Sequence, residues 1–548
     1  MKQMSIPKRL TTALVNSLTA GVVPRVGLEH IAVGRKPEVA SMLQDLENIA
    51  EGGAAFRIIS GRYGSGKSFL LQMLRNYAMD REFVVCDADL SPERRLVGTK
   101  GQGLATYREL LGHLSTRTRP DGGALEPMLQ RWIAGLQQEL MQAGGLRPGD
   151  PQLLESVELR IYEVAGEMQS LVHGFDFAKV LSAYWTGYKL GEEERKASAL
   201  RWLRGEIPTK TEARKELGVG VVIDDDNWYD YMKLWAEFAV RIGYKGLLLF
   251  IDEGVNLYKI TNSVSRQSNY EKLLTMFNDT MQGKAEHLGI YLGGTPQFVE
   301  DSRRGLFSYD ALRTRLMDGR YSSGAYRTYT SPILRLDMLS HEEIMVLLQR
   351  LRGIHAMHFG YEPQLRDEQL VAFMQAAVNR LGADELLTTR EVVRDFMDVL
   401  HMLHQHQELT FEALMGEREM EQAAGGGRKS AAGGSRTASA GDSWLNSADE
   451  AGSEGRLSGA GGLNNEGGSS SAGRLSSAGG LSSEGRLSSE GQLSSTGGSN
   501  NEGRLGSTDG QNHEAGRVAR SGEAGRSGED RADRERDDLD DLLAEFEL

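Results

Sequence analysis

Short apolar runs alternate with segments of helical periodicity over residues 1 to about 420 of the chain. The runs FRIIS, FVVCDAD, LLLFID and LGIYLGG have the length and aliphatic content of strands. In LLLFI, at 247–251, consecutive apolar residues suit a strand that is buried on both faces, as in a parallel sheet. The pattern therefore predicts an α/β fold with a parallel sheet, in which helices such as SFLLQMLRNYAMD follow the strands.

About 150 residues separate FVVCDAD from LLLFID, far more than a crossover between parallel strands needs. Apolar residues at helical spacing fill most of this stretch, in LATYRELLGHL, LEPMLQRWIAGLQQELMQ, FDFAKVLSAYWTGYKL and WYDYMKLWAEFAVRI. We predict a helical insertion over about residues 104–227, after which the last helix returns to the sheet. That helix carries an aromatic stripe of Trp228, Tyr231, Trp235 and Phe238. Because the stripe occupies one helical face, core packing is favoured over a base-stacking platform for nucleic acid.

The composition changes twice in the C-terminal part of the chain. Residues 1–330 are predicted to form a core domain, and residues 331–420, with helical spacing, a helical lid. Residues 421–535 are rich in Gly and Ser and lack the apolar surface that folding requires, so we predict a disordered linker. Residues 536–548 combine acidic residues with leucines at helical spacing. We interpret them as a docking peptide for a partner protein, the alternative being a solubilising acidic tail.

The net charge is −14, of which residues 428–548 contribute −8, from 13 basic and 21 acidic residues. The rest of the chain carries a net charge of −6, which argues against a broad nucleic-acid-binding surface. A local basic channel remains an alternative. The single cysteine, Cys86, lies in an apolar strand and excludes an intramolecular disulfide and a cysteine-based zinc site. Because no apolar run reaches about 18 residues and no leader pattern is present, we expect a cytoplasmic protein without a membrane anchor.

The sequence GRYGSGKS, at 61–68, lies between the strand FRIIS and a predicted helix. Glycines allow such a loop to bring backbone N–H groups and the helix N-terminus against phosphate oxygens. Lys67 is then expected to reach the β- and γ-phosphates, and Ser68 to bind Mg²⁺. The candidate phosphate-binding residues are Gly61, Arg62, Tyr63, Gly64, Ser65, Gly66, Lys67 and Ser68. The alternative is a glycine-rich turn with a chance lysine.

Two carboxylates follow the apolar strand at 247–251. Because ligands bind at the carboxyl ends of strands in open α/β sheets, we expect Asp252 and Glu253 to lie near the loop at 61–68. Asp252 would hold Mg²⁺ through water, and Glu253 would orient and deprotonate an attacking water. The alternative is a pair of carboxylates that ends an ordinary strand. The order of the two motifs favours a site for ATP and Mg²⁺, and therefore an ATPase.

Further candidates follow along the chain, each with an alternative. Thr295, in LGIYLGGTPQFVED, contacts the γ-phosphate or the attacking water, or else it belongs to an ordinary turn. Arg313 and Arg315, in YDALRTRLMDGRY, reach the ATP of a neighbouring subunit, or else they remain in solvent. Three late histidines lack a carboxylate or thiol partner at metal-ligand spacing, which favours a solvated helix end over a metal site. They are His401, His404 and His406.

This ordered set of motifs resembles that of the AAA+ ATPases, particularly the branch of the origin-recognition and STAND-type proteins. The segment IAVGRKPEVASMLQDLENIAEGG is similar to a box of that branch that borders the adenine, which implies that Val33, Gly34 and Arg35 belong to the nucleotide pocket. LTTREVVRDFMDVL is similar to the lid helix with a second sensor arginine, which implies that role for Arg390. The chain departs from the origin-recognition proteins after the lid, where nothing resembles a winged helix.

More narrowly, four segments resemble the ATP-binding proteins of bacterial BREX-type phage-defence clusters: GVVPRVGLEHIAVGR, GRYGSGKSFLL, LLLFIDEGVNLYK and LRLDMLSHEEIMVLLQRLRGIHA. The resemblance extends over roughly residues 5–410 and implies a P-loop NTPase core, ATP binding and a role in defence. We expect a homo-oligomeric motor or switch that hydrolyses ATP in a DNA-defence assembly, with DNA bound directly or through a partner. The alternative is a nucleotide-gated scaffold with little or no turnover. A small-molecule kinase has less support, since it would not need the insertion, lid or tail.

Overall fold

The structure of the chain is a computed structural model, and its described residues belong to one compact unit. They are 6–148, 150–168, 171–319, 328–381 and 388–416. The predicted linker at 421–535 and the predicted docking peptide at 536–548 lie outside these residues. Within them the chain forms a parallel sheet with helices on both faces, which confirms the predicted α/β class.

One sheet of five strands forms in the described part of the chain. Its strands are β1 Ala54–Gly61, β2 Val84–Asp89, β3 Leu247–Asp252, β4 Leu288–Gly294 and β5 Ile333–Leu336. Their order is β2-β3-β4-β1-β5, and all neighbouring strands are parallel. The carboxyl ends of β1 and β3 therefore lie at the same edge, with β4 between them. β5 begins inside the range predicted for the helical lid, so the helices of that range start only after Leu336.

Within the described residues, helices occupy the long connections between these strands. The N-terminal helices are α1 Lys8–Thr19, α2 Lys36–Ala50 and α3 Lys67–Asp80. Between β2 and β3 the helices are α4 Gln102–Gly112, α5 Leu125–Gly144, α6 Pro151–Glu167, α7 Gly174–Leu190, α8 Glu193–Leu203, α9 Lys210–Leu217 and α10 Trp228–Arg241. The following ones are α11 Val255–Tyr258, α12 Ser263–Met281, α13 Pro296–Glu300 and α14 Asp310–Leu316. After β5 come α15 His341–Phe359, α16 Asp367–Leu381 and α17 Thr389–Gln405.

The central strand β3 is buried on both faces, as its uninterrupted apolar run predicts. Leu249 and Ile251 belong to the core that contains α10 and α12. Leu248 and Phe250 point the other way and belong to the core formed with α2 and α3. The apolar residues of β3 thus leave its polar C-terminal end as the part that can contact a ligand.

The aromatic stripe on α10 is part of the protein core. Trp228, Tyr231, Trp235 and Phe238 are each no more than 1% exposed. The ring of Phe177, on α7, meets Trp235 edge-on with the ring centroids 4.9 Å apart. This burial confirms the prediction of core packing and rules out the base-stacking alternative for these residues.

The N-terminal helix α1 packs against α15 and α17, which follow β5 in the chain. Leu14 and Leu18 of α1 share an apolar cluster with Leu348 of α15 and Phe396 of α17. The two ends of the described chain therefore form one helical layer next to the sheet edge. No helix within the described ranges is long and apolar enough to cross a lipid bilayer.

Candidate functional site

A cavity of about 500 Å³ opens at the carboxyl edge of the sheet, where α1, α15 and α17 meet the core. Most candidate residues line it: Val33, Arg35, Tyr63, Gly64, Ser65, Gly66, Lys67, Ser68, Asp252, Glu253, Thr295 and Arg390. Gly34 and Arg62 are chain neighbours of lining residues, and Gly61 directly precedes Arg62. Arg313 and Arg315 lie on α14, outside the lining.

The loop at 61–68 connects the end of β1 directly to the start of α3. Gly64 and Gly66 have φ angles of 82° and 91°, in the left-handed region that favours glycine. Gly66 is the N-cap of α3, so Lys67 and Ser68 occupy the first turn of the helix. Because the first N–H groups of a helix have no acceptor within it, this turn offers donors to an anion in the cavity.

The side chain of Lys67 folds back over the loop that precedes it. Its Nζ donates to the carbonyl oxygens of Gly61 and Arg62, each at 3.0 Å. Burial lowers the pKa of Lys67, while the carboxylates of Asp252 and Glu253 act in the opposite direction. The ammonium group is thus held at the mouth of the loop by two neutral acceptors, and Gly61 and Arg62 contribute through their backbones.

Ser68 and Asp252 bring the loop and the carboxylate pair together. Ser68 Oγ donates to Asp252 Oδ2 at 2.7 Å, and Asp252 Oδ1 accepts from the backbone N–H of Glu253 at 2.8 Å. A Cβ atom at Gly293, on the neighbouring strand β4, would overlap with Asp252 Oδ1. Glycine at this position therefore makes room for the Asp252 side chain. A hydroxyl and a carboxylate form an oxygen donor set of the kind that Mg²⁺ prefers.

Glu253 lies immediately after β3 in an unusual backbone conformation, with a φ angle of 58°. Its side chain is exposed enough to line the cavity. Burial raises the pKa of Glu253, and the negative charges of Asp252 and Asp89 raise it further. A carboxyl group with a raised pKa beside a cavity is a candidate for proton transfer.

Asp89 is a neighbour of this site that the sequence analysis misses. It ends β2 and pairs in register with Asp252 on β3. Burial raises the pKa of Asp89, and the charge of Asp252 raises it further. The signal was available, since FVVCDAD is an apolar strand that ends in a carboxylate, but only the order of the strands places it beside LLLFID.

Arg35 holds the loop at 61–68 through a hydrogen bond to its backbone. It is 8% exposed, and its guanidinium donates to the carbonyl oxygen of Ser65 at 3.1 Å and to that of Asp337, just after β5. Its ion pair with Glu38 is 3.5 Å long. These contacts give Arg35 a structural role, because they connect the loop to the end of β5. Arg35 also lines the cavity. Gly34 has a φ angle of 67°, and a Cβ atom there would overlap with the side chain of Glu343.

Apolar side chains form one wall of the cavity, to which α1, the segment after it, α15 with the residues just before it, and α17 contribute. They are Leu18, Val22, Val23, Pro24, Ile31, Val33, Leu339, Leu347 and Val393. The buried hydroxyl of Ser65, in the polar part, has no hydrogen-bond partner within the described residues. A cavity with an apolar wall and a polar, donor-rich wall suits a ligand that joins a flat ring to an anionic group.

The remaining predicted residues have partners in the structure. Thr295 Oγ1 accepts from the N–H of Phe298 at 3.3 Å and caps α13. Thr295 thus forms the turn that was its alternative role, and it also lines the cavity. Arg313 pairs with Asp310 at 2.8 Å on the same helix. Arg315 donates to a side-chain oxygen on α12 at 3.1 Å. The sensing role of Thr295 and the intersubunit role of Arg313 and Arg315 stay predictions.

The prediction of a solvated helix end is wrong for His401 and His404. His401 Nδ1 is 3.1 Å from His355 Nε2, and its Nε2 is 2.9 Å from Thr19 Oγ1. The ring of His404 stacks on Tyr361 with the centroids 5.0 Å apart. These histidines are not solvated because α17 packs against α1 and α15. Among the described residues, no group of three or more His, Cys, Asp or Glu side chains could hold a metal ion.

The glycine-rich loop at the start of α3 and the carboxylates at the end of β3 define an α/β protein with a ligand cavity at the carboxyl edge of a parallel sheet. The chain belongs to the family of the BREX system ATP-binding proteins BrxC/D, whose sequence model matches residues 6–419. This match confirms the BREX resemblance and supports an ATP-binding role in a phage-defence system. No curated protein matches the chain.

Proposed function

We propose that the chain binds Mg²⁺-ATP in this cavity and hydrolyses it to ADP and phosphate. The observation that carries the proposal is the 2.7 Å hydrogen bond between Ser68 Oγ and Asp252 Oδ2. These are the positions at which P-loop ATPases hold their metal ion. The family match supports ATP as the nucleotide. The triphosphate would lie against the loop at 61–68, and the base against the apolar wall.

The loop supplies the contacts for the phosphates. The first-turn N–H groups of α3 donate to phosphate oxygens, and the positive end of the helix dipole favours the anion. Lys67 exchanges the carbonyl oxygens of Gly61 and Arg62 for phosphate oxygens, because a charged acceptor forms the stronger hydrogen bond with an ammonium group.

Ser68 and Asp252 fit a magnesium ion. Mg²⁺ is usually held by one or two carboxylates together with substrate phosphates, and it keeps several waters. A hydroxyl and one carboxylate beside a phosphate loop are therefore sufficient, and no larger acidic cluster is needed. When bound, the ion would neutralise negative charge on the β- and γ-phosphate oxygens.

Glu253 is the proposed general base. Its pKa is raised toward neutral pH, and a general base works best when its pKa lies near the working pH. The carboxylate takes a proton from water as the water oxygen attacks the γ-phosphorus. The bond from that phosphorus to the β–γ bridging oxygen then breaks and ADP leaves. Thr295 and Arg390, which line the same cavity, are proposed to contact the γ-phosphate.

We extend the proposal to a homo-oligomer that works as a motor or switch in a defence assembly. Arg313 and Arg315 are exposed on α14 and, in this proposal, reach the ATP of the neighbouring subunit. There they would stabilise the charge of the transition state. DNA, bound directly or through a partner, and a protein partner for residues 536–548 belong to the same proposal.

A second candidate is a nucleotide-gated scaffold with little or no turnover. The observation in its favour is the helical region between β2 and β3, which carries exposed apolar side chains on α6, on α7 and just before α7. Leu159, Val172 and Phe175 are 64%, 61% and 61% exposed. Exposed apolar side chains of this kind are typical of surfaces that contact other proteins.

Steady-state hydrolysis and equilibrium binding of ATP separate the two candidates. The substitution Glu253→Gln should leave ATP affinity intact and lower turnover at least about 100-fold, the scale of a lost general base. Lys67→Ala should instead weaken ATP binding. Glu47→Gln, on the exposed surface of α2, is the matched control and should change neither. Tight ATP binding without turnover in the unsubstituted protein would favour the scaffold, and turnover that survives Glu253→Gln would exclude the role of Glu253.

A further inference from the structure

Tyr63 and Arg390 contact each other at the cavity, and the proposed reaction gives Tyr63 no role. Arg390 Nη1, on α17, donates to the hydroxyl of Tyr63 at 2.6 Å. The guanidinium carbon lies 5.2 Å from the centroid of the Tyr63 ring. Tyr63 is 65% exposed although it is a large aromatic residue. Its main contact is therefore with the arginine, not with a core.

The chain segments that carry these two side chains also lie close together. A Cβ atom at Gly64 would lie 2.6 Å from Thr388 Cβ, and the φ angle of Gly64 is 82°. Thr388 is the N-cap of α17 and forms a capping box with Glu391. The start of α17 is thus a well-defined turn that rests directly on the loop. Arg390 follows Thr388 by two residues in the first turn of the same helix.

In the proposed function, Arg390 contacts the γ-phosphate from the wall of the cavity. It lines the cavity together with Lys67, and its positive charge contributes to the lowered pKa of Lys67. Its present acceptor, a neutral phenol oxygen, is weaker than a phosphate oxygen, because charged acceptors form shorter and stronger hydrogen bonds with guanidinium groups. One guanidinium group therefore has two alternative acceptors, Tyr63 and a phosphate.

We propose that Tyr63 competes with the terminal phosphate for Arg390 and thereby sets how strongly the site distinguishes ATP from ADP. This inference rests on the proposed function. ADP lacks the γ-phosphate and leaves Arg390 on Tyr63. ATP must displace the tyrosine hydroxyl before Arg390 can bind its γ-phosphate. Tyr63 is thus a specificity-determining residue that acts through Arg390.

The substitution Tyr63→Phe tests this competition because it removes the hydroxyl and keeps the ring. Dissociation constants for Mg²⁺-ATP and Mg²⁺-ADP are measured by isothermal titration calorimetry on the full chain. We expect ATP affinity to increase about three- to tenfold, the scale of one typical hydrogen bond after its exchange with water. ADP affinity should change less than about twofold. In the Arg390→Ala background the same substitution should have no effect on either nucleotide.

Tyr188→Phe provides the matched control, since Tyr188 is an exposed tyrosine on α7 and should leave both affinities unchanged. Equal shifts for ATP and ADP, weaker ATP binding in Tyr63→Phe, or an effect that persists without Arg390 would each overturn the inference. An unchanged ATP affinity in Tyr63→Phe would overturn this inference and leave the proposed function standing. Failure of the unsubstituted protein to bind ATP would overturn the proposed function as well.

Discussion

Ser68 and Asp252 share a hydrogen bond of 2.7 Å although 184 positions separate them in the chain. The contact depends on the strand order, because β4 lies between the strand that leads to Ser68 and the strand that ends at Asp252. Gly293 on β4 provides the space between them. The site is therefore sensitive to the size of a residue that takes part in no chemistry.

Substitution of Gly293 by alanine should disturb the site without removing any functional group. The added Cβ overlaps with Asp252 Oδ1, so the carboxylate must move away from Ser68. We expect ATP affinity to fall at least about tenfold and the free energy of unfolding to decrease by about 1–3 kcal/mol, as for other overpacked sites. Equilibrium ATP binding and urea denaturation measure the two effects.

Gly135→Ala is the control for this substitution. Gly135 lies within α5, and, apart from its chain neighbours and the nearby backbone of its own helix, no heavy atom lies within 4 Å of a Cβ built there. Alanine at an open helical position should raise the free energy of unfolding by about 0.5–1 kcal/mol and leave ATP binding unchanged. If Gly293→Ala behaved like Gly135→Ala, Asp252 would not need its present position to support binding.

Replacement of Glu253 by glycine should stabilise the protein while abolishing the proposed ATP hydrolysis. Glu253 has a φ angle of 58°, a conformation that costs a residue with a side chain about 1–2 kcal/mol. The substitution also removes a carboxylate from the vicinity of Asp252 and Asp89. Part of the gain is offset by the greater freedom of glycine in the unfolded chain. We expect a net increase in unfolding free energy of about 0.5–1 kcal/mol, measured by urea denaturation.

Glu82→Gly tests whether this gain comes from the backbone. Glu82 has a φ angle of 65° in the turn between α3 and β2, away from the cavity. It should show a similar stabilisation with unchanged ATP hydrolysis. A Glu253→Gly protein that is less stable than the unsubstituted one would show that the Glu253 side chain contributes more to stability than its backbone conformation costs.

The central part of the fold and of the site could be predicted because its signals are local. The apolar run at 247–251 indicates a doubly buried strand, and the glycine pattern at 61–68 indicates a strand-to-helix loop. The rule that ligands bind at the carboxyl ends of parallel strands then places Asp252 and Glu253 near that loop. These inferences need no knowledge of distant contacts.

The parts that the sequence does not reveal depend on contacts between distant segments. Asp89 becomes a neighbour of Asp252 only through the pairing of β2 with β3. The contact of Tyr63 with Arg390 joins residues that are 327 positions apart. The packing of His401 follows from the docking of α1 on α17, which no periodicity within either helix records. Tertiary packing therefore decides these positions, and it also explains why a solvated helix end was the wrong expectation.

The histidines between α1, α15 and α17 form a network around the buried His355. His355 is 0% exposed, its Nδ1 lies 2.7 Å from the hydroxyl of Tyr361, and its Nε2 contacts His401. Burial, and then the charges of His401, His404 and His358, lower the pKa of His355 to about 3. The folded protein therefore keeps His355 neutral at pH values at which an unfolded histidine is protonated.

Two further charged groups act on this network from the helices packed around it. Lys8, on α1, helps to lower the pKa of His358, where burial is the larger cause. Asp398, on α17, opposes the lowering of the pKa of His401, which is also caused mainly by burial. The pKa values of His401 and His358 are thus lowered, as is that of His355. Acid therefore destabilises the folded protein through all three histidines.

We expect the protein to lose stability as the pH falls from about 6.5 toward 3. Below pH 6.5 the unfolded chain binds a proton at His355 that the folded chain binds only near pH 3, so acid favours unfolding by at most about 1.4 kcal/mol per pH unit. Urea denaturation followed by circular dichroism between pH 7.5 and about 4.5 should show a shallower decline for His355→Gln than for the unsubstituted protein. His406→Gln, at the exposed end of α17, should leave the slope unchanged. Parallel declines for all three proteins would show that the folded state does not exclude the proton from His355.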